Sequence, residues 1–200
     1  MFLTFRLASE FWGVAGFAEW VMARRLMAFI VPVITMGMDV GLTRAIASSR
    51  ENCSQSYLQA ACLVVGVMAA AATIAAVPLA DEISRIVFGS IAHAELVLPV
   101  VFMSAAYAFY VLLYGCLRGR IQIMEANLAH IVAYGVLPLC VISMVHESPA
   151  QAITAIGVVA AIATGLVLVR YLSASSSGAS ALSSRTRELV SYGGTRMIAA

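Results

Sequence analysis

Charged side chains lie beside and inside a long apolar stretch near the start of the chain. Arg24 and Arg25 precede this stretch, Arg44 follows it, and Asp39 is the one charged residue within it. The stretch, Leu26–Thr43, is long enough to cross the hydrocarbon core of a bilayer. An ionised group at that depth costs at least about 2.5–3.5 kcal/mol on insertion scales, so it usually faces a bundle interior or a wet cavity. The pattern therefore indicates a functional role for Asp39, and membrane transport is the leading class.

Arginine at membrane depth is suited to an anionic ligand. Its guanidinium forms charge-assisted, often bidentate hydrogen bonds to phosphate or pyrophosphate. If the stretch is one helix, Arg25 and Asp39 lie on the same face, about 21 Å apart along the axis. Asp39 then cannot pair with Arg25, and a wet cavity or a partner from outside these spans is expected to neutralise it.

No catalytic constellation is present in the sequence. His93, His130 and His146 are scattered without partners at metal-ligand spacing. The four cysteines form no CxxC pair, which argues against a metal or disulfide framework. The chain has no Walker loop, no GxSxG motif and no lysine. We therefore expect neither an enzyme nor a cofactor.

The composition indicates that membrane helices position these residues. Of 200 residues, 62% are hydrophobic and only 11% are charged, and the mean hydropathy is +0.95. Soluble domains usually carry about 25% charged residues. A net charge of +2 without basic runs argues against nucleic acid as a partner. The chain is expected to be an integral membrane protein.

Five apolar runs are long enough to span a bilayer. None shows the period-two alternation of barrel strands, so helices are favoured. The runs are Leu26–Thr43, Tyr57–Leu79, Leu96–Leu117, Asn127–Val145 and Ala150–Val169. A further run begins at Leu189. We predict an all-α, polytopic transmembrane helix bundle with about five complete spans plus the start of a sixth.

The Ser-rich segment 174–184 is the one break in composition and is predicted to be a flexible linker. It divides a transmembrane bundle, residues 1–173, from the truncated start of the next helix, residues 185–200. Arginines concentrate after the first, third and fifth runs, which predicts that those loops are cytoplasmic. Met1–Val21 would then lie outside without a preceding helix. We expect a fragment that lacks an initial helix; a protein with a genuinely external N terminus is the alternative.

Each predicted span carries a polar stripe at helical spacing. The stripes are Arg25 to Asp39; Gln59, Gly66 and Thr73; Ser104, Tyr107 and Tyr114; Asn127, His130 and Tyr134; and Gln151, Thr154 and Val158. We expect the five stripes to converge on a solvated cleft. The alternative is ordinary interhelical hydrogen bonding, worth about 0.6 kcal/mol per contact on average.

Four segments carry a resemblance to a known family. They are residues 13–44, which include GVAGFAEWVMARRLMA and VPVITMGMDVGLTR, and residues 83–89 (ISRIVFG), 114–127 (YGCLRGRIQIMEAN) and 187–196 (RELVSYGGTR). Together they resemble the polysaccharide-transporter branch of the multidrug/oligosaccharidyl-lipid/polysaccharide exporter superfamily. That branch has a Gly-x-x-Gly-Phe-Gly-Glu-like loop, then a helix that runs from an arginine pair through a proline to a terminal arginine.

The resemblance implies a flippase of the inner, or cytoplasmic, membrane. It implies movement of lipid-linked saccharide precursors, such as O-antigen, lipopolysaccharide or exopolysaccharide units, through a cationic cavity between two helical halves. This chain would match helices two to six of the N-terminal half and the start of helix seven. The implied partners are a lipid-linked oligosaccharide pyrophosphate and membrane lipids, with a polysaccharide polymerase and glycosyltransferases as further partners.

The candidate cavity residues are Arg24, Arg25, Asp39 and Arg44, together with Asn127 and His130 from the fourth stripe. Two alternatives to a flippase stay open. One is a multidrug exporter of the same superfamily, which would need cation-attracting acids deep in the bundle. The other is a non-transporting scaffold subunit of a polysaccharide assembly complex, in which the stripes would be packed dry.

Overall fold

A computed structural model describes residues 2–48, 51–172 and 185–190 of the chain. Within these ranges the protein is helical, with short turns and no strand. The helices are α1 (Phe2–Thr35), α2 (Met38–Ser48), α3 (Glu51–Phe88), α4 (Val97–Gly119), α5 (Ile123–Ile131), α6 (Leu137–Met144) and α7 (Pro149–Leu172). A 3-10 turn, Ile91–Leu96, precedes α4, and a π-helical turn, Val132–Val136, joins α5 to α6. Residues 185–190 are helical, whereas the predicted linker 174–184 and residues 191–200 lie outside the described ranges.

Four helical stretches are long and apolar enough to cross a membrane. They are Ser54–Phe88, Ile91–Gly119, Ile123–Met144 and Pro149–Leu172. A bent pair, Leu3–Thr35 with Met38–Ser48, would make a fifth if it is counted as one span. Each of the four stretches covers one of the predicted runs, apart from Val145 at the end of Asn127–Val145. The prediction of an all-α protein with several membrane-length helices is confirmed for the described residues.

α1 consists of two arms that fold back on each other at Gly13. The φ of 65° and ψ of −165° at Gly13 are non-helical and favour a residue without a Cβ. The Phe5 and Phe17 ring centroids are 5.9 Å apart, and the Arg24 guanidinium carbon also lies 5.9 Å from the Phe5 ring centroid. In a straight helix residues 5 and 24 would be separated by about 28 Å. The two arms are therefore antiparallel neighbours.

The first arm of α1 packs against the bundle along one face. Thr4 and Ala8 are buried. Trp12 donates its indole N–H to the carbonyl of His146 at 2.9 Å, beyond the end of α6. Residues 2–21 therefore form no free tail: the turn at Gly13 lets this segment return along the bundle, with Thr4 and Ala8 buried and Leu3 and Phe11 exposed.

The first predicted span, Leu26–Thr43, is not one helix. Met36 and Gly37 both have positive φ, 48° and 67°, and the helices on either side meet at 48°. Asp39 therefore lies in the first turn of α2, where the helix dipole favours an acidic side chain. The face predicted to be shared by Arg25 and Asp39 is wrong, because it required an unbroken helix.

α4 is the central helix of the bundle, and α1, α2, α3 and α7 all pack against it. Two large apolar clusters lie on its two sides. One joins α4 to α1, α6 and α7, and its buried members include Trp20, Val100, Tyr107, Ile142 and Ile156. The other joins α4 to α2 and α3, and its buried members include Ile34, Leu42, Leu58, Val65 and Leu112.

Candidate functional site

Of the two adjacent arginines, Arg24 faces the bundle interior and Arg25 does not. The Arg24 side chain is half-buried, whereas Arg25 is exposed. The guanidinium carbon of Arg24 lies 5.8 Å from the Trp20 ring centroid and 5.9 Å from that of Phe5, within cation–π range. Consecutive helical side chains point about 100° apart, so only one of the pair can face inward. Arg24 forms no ion pair with any carboxylate in the part of the chain that the structure describes.

The third and fourth predicted polar stripes meet in a tyrosine–histidine cluster. Its members are Tyr107, Tyr110 and Tyr114 of α4, with His130 and Tyr134 from the α5–α6 segment. The His130 and Tyr134 ring centroids are 4.8 Å apart. The Tyr110 hydroxyl lies 3.1 Å from His130 Nδ1, and the histidine tautomer decides which of them donates. Tyr107 and Tyr134 border the same small cavity as Arg24, so the cluster extends to that guanidinium.

The Tyr107 hydroxyl satisfies a carbonyl that the π-helical turn leaves without a helical donor. In this turn the Leu137 N–H donates to the Val132 carbonyl, five residues earlier. The next donor in the same pattern would be Pro138, which has no N–H. The Ala133 carbonyl therefore lacks that donor, and the Tyr107 hydroxyl donates to it at 2.6 Å. One proline thus explains why α4 carries a tyrosine at this buried position.

Tyr107→Phe is expected to destabilise the protein by about 1–2 kcal/mol, because it leaves the buried Ala133 carbonyl without a donor. The measurement is the free energy of unfolding in detergent micelles. Tyr114→Phe is the matched control, since the Tyr114 hydroxyl has no hydrogen-bond partner among the described residues and both variants keep the ring. Equal stability of the two variants would contradict this account of Tyr107.

The space beside Arg24 is small. A cavity of about 10 Å³ lies between Arg24, Trp20, Tyr107, Tyr134 and neighbouring apolar side chains. This is about the room that one water molecule needs. The indole N–H of Trp20, which borders the cavity, is buried and has no hydrogen-bond partner among the described residues. In this structure the interior at Arg24 is therefore closed to a phosphate group.

The other predicted site residues do not gather around Arg24. Arg25, Arg44, Asn127 and His130 are exposed. Of these, only His130 takes part in the tyrosine–histidine cluster. Asp39 and Arg44 lie on α2, which packs on the C-terminal part of α4 around Gly115 and Gly119. The six predicted residues thus form separate groups, and only Arg24 and His130 adjoin the same cluster, through Tyr134.

In the described part of the chain the third and fourth polar stripes meet, but the five stripes do not enclose one cleft. Gln151, Thr154 and Val158 of the fifth stripe are all exposed. The Thr154 hydroxyl donates to the Ala150 carbonyl of its own helix at 2.8 Å, and Thr73 makes the same kind of bond to Ala69 at 2.8 Å. Because threonine can satisfy its hydroxyl within one helix, its position does not require a polar cleft.

Sequence reasoning missed the two aromatic partners of Arg24. Trp20 lies four residues before Arg24, a spacing that places both side chains on one helix face, so this partner could have been found. Phe5 could not, because its contact depends on the reversal at Gly13. No group of three or more His, Cys, Asp or Glu side chains placed to hold a metal ion occurs within the described ranges.

The fold defines a class: an all-α protein with four or five helical stretches long and apolar enough to span a membrane. Comparisons with protein-family models, with curated protein sequences and with solved structures find no match to the chain.

Proposed function

We propose that this chain takes part in moving lipid-linked polysaccharide precursors across the cytoplasmic membrane, and that Arg24 attracts the pyrophosphate of the substrate. The observation that carries the proposal is the environment of Arg24. It lies about halfway along the second arm of α1, half-buried among aromatic side chains and without a carboxylate partner among the described residues. A cation at membrane depth is costly, which makes function the default explanation for it.

The charge of Arg24 favours an anionic substrate over a cationic drug. A multidrug exporter that takes cations would need an acidic side chain in the interior. Asp39 instead lies on α2 against Gly115 of α4, and none of the described residues that border the cavity beside Arg24 is Asp or Glu. In a site that excludes water, hydrogen bonds from a guanidinium to phosphate are strong, since both partners are charged. The resemblance of residues 13–44 to polysaccharide transporters supports the same class of substrate.

Substrate entry in this proposal requires the interior to open, since the present cavity measures only about 10 Å³. The π-helical turn Val132–Val136 is the place where it opens. Backbone hydrogen bonding is already irregular there, and such turns are common at functional sites. Movement of α5 and α6 about this turn would separate Tyr134 from Arg24 and Tyr107.

We further propose the number of membrane spans and the orientation of their loops. The bent α1–α2 pair counts as the first of five complete spans, and residues 185–200 begin a sixth. The loops rich in arginine face the cytoplasm. A polysaccharide polymerase and glycosyltransferases are the neighbouring activities.

A scaffold subunit without transport activity is the second candidate, and the closed interior favours it. The tyrosine–histidine cluster is packed ring against ring, and the cavity at Arg24 has room for little more than a water molecule. In that case Arg24 would stabilise the bundle through its cation–π contacts alone.

A translocation assay separates the two candidates. The chain is reconstituted into liposomes that carry a fluorescent lipid-linked oligosaccharide pyrophosphate, and a membrane-impermeant quencher reports the leaflet in which the label lies. We expect the quenchable fraction to rise from about half towards completion in proteoliposomes and to stay at half in protein-free liposomes. No movement above protein-free liposomes, with the chain folded, would contradict the transport proposal and leave the scaffold candidate.

A further inference from the structure

A groove of about 380 Å³ lies between α4, α5 and α7. It forms because α6 packs on α7, whereas α5, on the other side of the π-helical turn, packs mainly on α4. Its walls are almost entirely apolar, and the aliphatic side chains among them are Leu113, Leu117, Leu128, Val132, Leu137 and Val167. The groove is separate from the small cavity at Arg24, although Tyr107 borders both.

Both sides of the groove belong to helices of membrane length, Ile123–Met144 and Pro149–Leu172. The side chains at its mouth are open: Leu128 is 62% exposed and Val132 is 43% exposed. When these helices span a membrane, exposed apolar side chains at the groove contact the hydrocarbon of the bilayer. Lipid acyl chains are therefore the molecules available to fill the groove. They carry no polar groups, so apolar walls leave no hydrogen bond unsatisfied.

One end of the groove carries an arginine rim, which we define as Arg118, Arg120 and Arg170. Tyr171 lines the groove, and the Arg120 guanidinium lies 4.8 Å from its ring centroid. Arg118 and Arg170 are exposed in the last turns of α4 and α7, and each is the sequence neighbour of a residue that lines the groove, Leu117 and Tyr171 respectively. Glu125 is the acidic side chain among the residues that line the groove. Three arginines against one carboxylate leave this end positive, which complements an anionic lipid headgroup.

We propose that the groove holds one acyl chain of an anionic phospholipid from the surrounding bilayer, with the phosphate of that lipid at the arginine rim. The proposal goes beyond the transport function and does not depend on it. A bound lipid would fill the gap between α5 and α7 while the π-helical turn keeps these helices apart.

Native mass spectrometry of the detergent-solubilised full chain tests this proposal. Phosphatidylglycerol and phosphatidylcholine with identical acyl chains are added in separate titrations. We expect phosphatidylglycerol to be retained about tenfold more tightly, the size of effect that one or two arginines near a lipid phosphate produce. Replacing both exposed arginines of the rim, Arg118→Gln with Arg170→Gln, should bring the two lipids to the same affinity.

Two substitutions fill the groove from opposite walls. Ala163→Trp on α7 and Leu128→Trp on α5 should each lower phosphatidylglycerol retention about tenfold, because the indole takes the space of the acyl chain. Ala75→Trp, on an exposed position of α3 outside the groove, is the matched control and should leave retention unchanged.

Three results would overturn the proposal. The first is retention at the wild-type level in both groove variants. The second is equal retention of the two lipids by the unmodified chain. The third is a dimer of the chain that Ala163→Trp dissociates, which would show that a second copy occupies the groove.

Discussion

Arg24→Gln is expected to reduce translocation of the lipid-linked pyrophosphate by about 10- to 100-fold. Loss of a hydrogen bond to a charged group costs about 1.5–3 kcal/mol. If the bond stabilises the phosphate at the barrier to its movement, its loss slows translocation by this factor. Arg25→Gln is expected to keep translocation within about twofold of the unmodified chain. The two positions are neighbours in sequence and carry the same change, yet Arg24 is half-buried beside Trp20 and Arg25 is exposed. The quencher assay in proteoliposomes measures both variants.

Loss of activity in Arg24→Gln has to be separated from loss of fold. Arg24 makes cation–π contacts with Phe5 and Trp20, each worth about 0.5–1 kcal/mol at an exposed site and more when desolvated. Thermal unfolding of both variants shows whether the bundle survives. Arg24→Lys separates the effect of charge from that of geometry. It keeps the positive charge but lacks the planar guanidinium that binds phosphate in a bidentate manner. A larger activity loss in Arg25→Gln than in Arg24→Gln would contradict the inward assignment of Arg24.

The helices could be predicted from the sequence because length and apolar composition alone decide whether a segment can cross a membrane. Ala150–Val169, for example, falls within α7, and Leu96–Leu117 falls within α4 except for Leu96. The two breaks in the first part of the chain could not be predicted in the same way. Gly13 and Gly37 are ordinary glycines in the sequence, and Met36, with a φ of 48°, carries a side chain that disfavours this conformation.

The candidate site was only partly predictable. The spacing of polar residues shows which side chains share one face of a helix, but it does not show which other helix that face contacts. The tyrosines of α4 and His130 of α5 were both assigned to inward faces, and these two stripes do meet. The same reasoning places Arg25, and not Arg24, on the face of Asp39, because it extends one helix face through Met36 and Gly37. Once the helix breaks there, that alignment carries no information about which arginine faces inward.

Close packing between α2 and α4 depends on two glycines of α4. A Cβ at Gly115 would lie 2.9 Å from the Asp39 carbonyl oxygen, and a Cβ at Gly119 would lie 2.9 Å from the Thr43 carbonyl oxygen. The Thr43 hydroxyl lies 2.9 Å from the Asp39 carbonyl of its own helix and 3.1 Å from the Gly115 carbonyl of α4, so its one proton is shared between the two acceptors. Because the opposing atoms are backbone, they cannot move aside as a flexible side chain would. The contact sets the position of Asp39, the residue whose charge in an apolar run is the most unusual feature of this part of the sequence.

Gly115→Ala and Gly119→Ala are therefore each expected to destabilise the protein by about 1–3 kcal/mol through overpacking. Gly165→Ala on α7 is the matched control, because no atom lies within 4 Å of its added Cβ. That change should stabilise the protein by about 0.5–1 kcal/mol, since alanine loses less backbone entropy than glycine in a helix. The measurement is the free energy of unfolding of the three variants in the same detergent. The changes in unfolding free energy are expected to have opposite signs in the α4 variants and the α7 control. If all three substitutions stabilise the chain, α2 does not pack on α4 at this distance. This contact then does not hold Asp39 at the start of α2.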